Sequence, residues 1–149
     1  MAVFTQITHD ELVTWLAPLN LGTLVEFKGI ASGIENSNFF VTLNDGVHYT
    51  TYVLTLFEVL TPEQLPFYLE LMQHLALKSI PVPRPYADAQ GQLFRPLAGK
   101  PATLVSKLSG HDTTAPTPAH CASVGRTLAQ MHLAGRDFPR HHPNLRGLD

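Results

Sequence analysis

Along this chain apolar residues follow two rhythms, one at helical spacing and one in short dense runs. Leu12, Trp15, Leu16 and Leu19 fall at helical intervals. Thr8, with Glu11 three residues on, has the spacing of a capping box, and Pro18 and Gly22 bring this first helix to its end. Trp15 is expected in the core. A second helix is expected behind Thr61 as cap, with Pro62 at its first position and Gln64 three after the cap. Leu65, Leu69, Leu71, Met72, Leu75 and Ala76 form its stripe as far as Lys78, and Pro66 lies in the first turn, where a missing N–H costs least. A third helix opens at Thr117-Pro118-Ala119. Cys121, Val124, Leu128, Met131 and His132 trace its faces up to Ala134, and Gly135 is the expected C-cap. Cys121 is expected as a buried small hydrophobe rather than a nucleophile.

The dense runs read as strands over 24–31, 39–43 and 52–57, with two more at 93–95 and 102–108. Asn44-Asp45-Gly46 and Ala98-Gly99-Lys100-Pro101 supply turn chemistry. Ile80-Pro81-Val82-Pro83-Arg84-Pro85 alternates prolines with single residues, so it is an extended connector and not a helix. The order β-β-β-α-β-β predicts an antiparallel five-stranded sheet with a helix packed on it, an α+β fold. Residues 111–118 have linker composition, and 136–149 look irregular, with His141 and His142 among prolines and arginines.

The turn between the first two strands is unlike the others. Gly33, Glu35, Asn36, Ser37 and Asn38 fill a stretch where a tight hairpin needs two residues. A polar loop of this size can turn backbone N–H groups towards an anion such as phosphate. A plain solvated hairpin loop has the same composition, and spacing leaves both readings open. Glu70 and His74 are i, i+4 neighbours on the second helix, open either to solvent or to a phosphate-binding lysine.

The chain of 149 residues suits one domain with a core of useful size. Hydrophobic residues make up 44% and charged ones 15%, and the net charge of −2 gives no reason to expect nucleic acid or an anionic membrane as partner. With Cys121 as sole cysteine no internal disulfide forms, which fits a reducing compartment. The first residues lack a basic segment followed by an apolar run, and no apolar run reaches the length of a membrane span. A cytoplasmic protein is the expectation. His111, His120, His132, His141 and His142 lack paired metal-ligand spacing, so no metal site is expected, and without a Gly-x-Ser-x-Gly elbow a hydrolase has no support.

Several motifs occur together and in order: Gly-Ile-Glu-Asn-Ser-Asn-Phe at 33–39, Tyr-Val-Leu-Thr-Leu-Phe-Glu at 52–58 and Leu-Pro-Phe-Tyr-Leu-x-Leu-Met-x-His-Leu-Ala at 65–76. They continue with Ile-Pro-Val-Pro-x-Pro at 80–85, Gly-Lys-Pro-Ala at 99–102, Pro-Thr-Pro-Ala-His-Cys at 116–121 and Gly-x-x-Leu-Ala-x-Met-His-Leu-Ala at 125–134. In this run the chain resembles the N-terminal half of the homoserine kinase group, within the aminoglycoside-phosphotransferase-like kinases.

The resemblance implies a protein-kinase-like fold in which residues 1–108 form the N-terminal lobe. Residues 109–149 would be the hinge or linker and the start of the second lobe. It implies ATP and Mg²⁺ as cofactors, and phosphorylation of the side-chain hydroxyl of L-homoserine on the way to threonine. The loop holding Gly33, Glu35, Asn36, Ser37 and Asn38 would lie over the nucleotide phosphates. The carbonyl of Ser106 and the N–H of Leu108 would meet the adenine edge, with Val53 and Leu104 sandwiching the base. Two departures stand out. Thr55 occupies the place of the strand lysine that holds phosphates, which leaves Lys28 as a substitute and removes a motive for Glu70. No His-x-Asp followed by Asn at kinase spacing occurs, so a fragment inactive by itself is expected, with metal ligands in an absent lobe. An aminoglycoside, choline or sugar kinase of the same superfamily is the rival substrate reading, and a non-catalytic nucleotide- or partner-binding remnant is the rival class. Apolar surface left open by an absent lobe implies self-association.

Overall fold

The computed structural model describes residues 3–143, so the end of the expected irregular tail lies outside the described residues. The first helix, α1 (His9–Leu16), starts where the capping pattern puts it. Glu11 N–H donates to Thr8 Oγ1 at 3.3 Å, and Thr8 N–H donates to the Glu11 carboxylate at 2.8 Å. Leu12, Trp15 and Leu16 are its buried residues. A short 3₁₀ turn at Ala17–Leu19 follows, and Gly22 then adopts φ +116. A Cβ at Gly22 would lie 2.3 Å from the Asn44 carbonyl oxygen, so only glycine lets the chain enter the sheet this close to its neighbour.

Five strands form one antiparallel sheet: β1 (Thr23–Gly29), β2 (Ser37–Asn44), β3 (Tyr49–Leu56), β4 (Arg95–Leu97) and β5 (Lys100–Ser106), in the spatial order β1-β2-β3-β5-β4. This is the expected α+β architecture. The second helix, α2 (Leu65–Leu77), joins β3 to the β4–β5 hairpin, and the third, α3 (Pro118–Ala134), follows the sheet. Period-two alternation is plainest in β2, where Ser37, Phe39, Val41 and Leu43 are buried. Leu54, Leu56, Ala102 and Leu104 from β3 and β5 join them in the core against Leu12, Trp15, Leu16 and Leu19.

Arg95 fastens α1 to β4. Its guanidinium lies 4.7 Å from the Trp15 ring centroid and 3.6 Å from the Asp88 carboxylate, and it donates to the Trp15 carbonyl. Burial pulls the Arg95 pKa below its ordinary value, against the opposing charge of Asp88.

Several boundaries differ from expectation for local reasons. Helix α2 begins at Leu65, not Pro62. Residues 61–64 form a turn in which the Gln64 side chain accepts from Thr61 N–H at 3.0 Å. Pro66 has no N–H to continue helical bonding back through that turn. Strand β4 starts at Arg95, because the Leu93 carbonyl instead accepts from Thr103 Oγ1 at 2.7 Å. Strand β5 stops at Ser106, where its outer edge pairs with the proline connector: Tyr86 N–H donates to Leu104 O and Ser106 N–H to Arg84 O, both at 2.9 Å.

Helix α3 has no buried residue, and Cys121 is exposed. This corrects the expected burial of Cys121: Val124 and Leu128, which follow it on the helix, are exposed as well. Glu70 and His74 are not simply solvated. Glu70 binds Arg140 through both carboxylate oxygens, and His74 Nε2 lies 3.0 Å from Ala134 O and 3.1 Å from Asp137 Oδ1. Phe138 packs on Phe67 and His74, so the segment after α3 is held along α2. No helix among the described residues is long and apolar enough to cross a membrane.

Candidate functional site

Residues directly opposite one another in an antiparallel pair point to the same face. The register therefore sorts the sheet into two surfaces. One is the core face under α1. The other carries three cross-strand rows: Asn38, Thr55 and Thr103 nearest the β1–β2 loop, then Lys28, Phe40, Val53 and Val105, then Glu26, Thr42 and Thr51. The middle row is mostly apolar, flanked by polar rows. At the end of β5 Lys107 reaches back to it, with Nζ 5.2 Å from the Phe40 ring centroid. Towards β5 this face closes over, with Thr103 and Val105 buried, while Phe40 stays 37% exposed.

The loop of residues 30–36 stands at the end of the first row. Gly33 has φ +136, a conformation that favours glycine, and Ile34 at the tip is exposed. Ile30 N–H donates to Asn38 O at 2.8 Å and closes the loop's base. Asn36 Oδ1 accepts from Glu58 N–H at 3.4 Å, which ties the loop to the end of β3. Glu35 and Asn36 also line a cavity of about 770 Å³ against Thr61, Gln64, Phe67 and Tyr68 at the start of α2.

The expected site residues separate in this frame. Gly33, Glu35 and Asn36 lie in the loop, but Ser37 and Asn38 are the first residues of β2. Asn38 and Thr55 are directly opposed, and Thr55 Oγ1 donates to Asn38 Oδ1 at 2.8 Å. Val53 lies on the open face beside Phe40. Leu104 does not share that face. It is completely buried opposite Leu54 in the core beneath α1, so the expected sandwich of a base between Val53 and Leu104 is corrected; the residue opposite Val53 is Val105. Ser106 binds Arg84 through both its N–H and its hydroxyl, the latter accepting Arg84 N–H at 2.8 Å. Leu108 lies past the strand and is exposed.

Ser37 also departs from a loop role. Its buried hydroxyl accepts N–H groups of Phe4 and Thr5 at 2.8 and 2.9 Å and donates to Glu58 Oε1 at 2.6 Å, which leaves it no capacity for a ligand. Lys100 Nζ lies 3.1 Å from Glu58 Oε2. Burial pushes the Glu58 carboxyl up, but hydrogen bonds from Ser37, Thr5 and Lys100 outweigh it and hold the pKa below the ordinary glutamate value. This cluster braces the end of β3, the first residues of β2 and the N-terminal segment as one unit.

Phe40, Lys107 and the Glu58 cluster escaped the sequence reading. The adjacent pair Phe39-Phe40 in a strand of period two was a usable signal, since one of the two must face away from the core. The Glu58 cluster joins residues far apart in the chain, and no local pattern announces it.

The model of the phosphotransferase enzyme family (APH) matches residues 26–149. Among curated proteins, the chain is 59% identical over 148 residues to a homoserine kinase of Polaromonas naphthalenivorans, covering 99% of this chain and 46% of the relative. It is 57% identical to one of Paraburkholderia phymatum and 55% identical to one of Cupriavidus pinatubonensis, covering 99% of this chain and 45% of each relative. The chain thus spans a little under half the length of these relatives. With the family match running through the sheet, α2 and α3, the chain belongs to the phosphotransferase enzyme family.

Proposed function

We propose that this chain is the nucleotide-binding part of an ATP-dependent kinase that phosphorylates the side-chain hydroxyl of L-homoserine. The observation that carries the reading is the 59% identity, across nearly the whole chain, to a protein named homoserine kinase. The face described above supports it physically. An apolar, partly aromatic row bordered by hydroxyl and amide groups suits a purine nucleoside, and a glycine-containing polar loop at one end suits the phosphates.

In this reading residues 1–108 act as the nucleotide lobe, and 109–149 as the linker and start of a second lobe. Val53 lies under the base with Phe40 and the edge of Val105. The main chain after β5, with the Leu108 N–H, meets the base edge. The Ser106 carbonyl serves as the acceptor there and the Leu108 N–H as the donor. Gly33, Glu35 and Asn36 bring the loop backbone over the phosphates, and the Asn38–Thr55 pair forms the floor beneath them.

Magnesium would accompany the nucleotide and neutralise phosphate charge. Among the described residues no group of three or more His, Cys, Asp or Glu side chains converges to hold a metal, and its ligands are assigned to the part of the relatives' length that this chain does not span. The acid that orients the acceptor hydroxyl is likewise assigned to the part of the relatives' length that this chain does not span.

Two experiments test the reading. Calorimetric titration with Mg-ATP is expected to show saturable one-site binding by this chain and no turnover of L-homoserine. A chimera carrying this chain in place of the matched part of the Polaromonas homoserine kinase is expected to phosphorylate L-homoserine. A folded chimera without activity, or a chain that binds no nucleotide, refutes the proposal. The exposed Val124, Leu128 and Leu133 of α3 support self-association of the isolated chain. A single monomeric species in sedimentation velocity would refute that part.

A further inference from the structure

We propose that Lys28, on β1, supplies the positive charge for the nucleotide phosphates that Thr55 cannot. This inference rests on the nucleotide reading above and specifies which side chain serves the anionic end.

Among the described residues four other cations are held in ion pairs. Lys100 is paired with Glu58 at the end of the sheet that anchors the N-terminal segment, Lys78 with Asp137, Arg140 with Glu70, and Arg95 with Asp88 and Trp15. Each is tied to a carboxylate in a structural contact. On that face the register leaves two lysines. Lys107 rests on the Phe40 ring from the end of β5, the end remote from the β1–β2 loop. Lys28 stands directly opposite Phe40 on the outer strand. It is exposed, with no ion pair or ring contact among the described residues. Glu26 shares its face two residues back along β1, where its carboxylate lies within reach of the Thr42 hydroxyl, 3.5 Å away.

Distance favours Lys28 over Lys107. The row of Lys28 is one step from the Asn38–Thr55 row at the loop end, and two residues of extended chain span about 7 Å. A lysine stem of four carbons covers most of that interval and presents a compact ammonium charge. Thr55 contributes a hydroxyl already bonded to Asn38, so the polar floor beneath the loop is uncharged. A polyphosphate placed over it and under the loop would find Lys28 as its adjacent cation. The charge is thereby carried on β1 instead of β3, two strand spacings away across the sheet.

The test compares adenosine, AMP and ATP, each with Mg²⁺, titrated into the 149-residue chain and its variants. Lys28→Met is expected to weaken ATP about tenfold, as for loss of one charge-assisted contact, and to leave adenosine affinity unchanged. Lys28→Arg is expected to restore most of the ATP affinity. Lys107→Met is expected to alter adenosine and ATP by the same factor. If Lys28→Met weakens adenosine as much as ATP, or if Lys107→Met produces the phosphate-dependent loss instead, the assignment to Lys28 is overturned. If the wild-type chain binds none of the three ligands, the nucleotide reading itself fails and takes this inference with it. Because Lys28 is an exposed side chain, circular dichroism of each variant is expected to match the wild type.

Discussion

Truncating Leu104 to alanine separates the core from the candidate site in one experiment. Leu104 is completely buried between β3 and α1, opposite Leu54. A close-packed core relaxes only in part around a deleted side chain, so Leu104→Ala is expected to cost about 3–5 kcal/mol. That is a large share of the ~5–15 kcal/mol that stabilises a typical domain. With a urea dependence of about 2 kcal/mol per molar, the unfolding midpoint should fall by roughly 1.5–2.5 M. The assay is urea denaturation followed by Trp15 fluorescence, since Trp15 is buried in the same core. Mg-ATP titration under folding conditions should give unchanged affinity for the folded variant. Val53→Ala is the counterpart: half-buried on the open face, it should cost about 1 kcal/mol of stability and weaken ATP measurably. A Leu104→Ala midpoint shift below about 0.5 M, accompanied by weakened ATP binding, would refute the assignment of Leu104 to the core and return it to the nucleotide face.

Further outcomes follow from buried polar groups and from backbone geometry. The Glu58 pKa is held below its ordinary value in the folded chain, so its stabilising contribution is complete above the unfolded glutamate value and is lost as pH falls through the lower, folded one. Urea midpoints measured from pH 6 down to pH 3 should therefore decline on the acid side, and Glu58→Gln should flatten part of that decline; an unchanged slope would contradict the network. Asp88→Ala removes the acceptor of the Gln90 and Gln92 N–H groups, both at 2.9 Å, and leaves the partly buried Arg95 without its carboxylate partner. A loss of about 3–5 kcal/mol by urea denaturation is expected, and a loss under 1 kcal/mol would show that the pair is dispensable. Gly22→Ala must move the Asn44 backbone as well as adopt positive φ, so a loss above 1 kcal/mol and a lower melting temperature are expected by calorimetry. An unshifted melting temperature would count against the close approach of β1 to β2.

Local sequence decided a good deal of this protein. The capping pair Thr8 and Glu11, the helical stripe behind them, and the alternation through 37–44 each describe an element whose stabilising contacts lie within a few residues. The sheet, its antiparallel order and the α+β class followed from those elements, because short turns leave few ways to connect them. Motif order along the chain is by itself enough to show a resemblance to a kinase group.

What the tertiary structure alone decided is which face each residue serves. Val53 and Leu104 both lie in apolar strands, and no strand pattern says how the register of β3 and β5 aligns them; a shift of one residue would exchange their faces. The Ser37 hydroxyl reads as a loop group until the N-terminal segment and Glu58 close around it. Glu70 meets Arg140 across seventy residues of sequence, and the Arg95–Trp15 contact spans eighty. Such contacts depend on chain reversals far from either partner, so the information that creates them is spread over the whole fold and not held in the residues that touch.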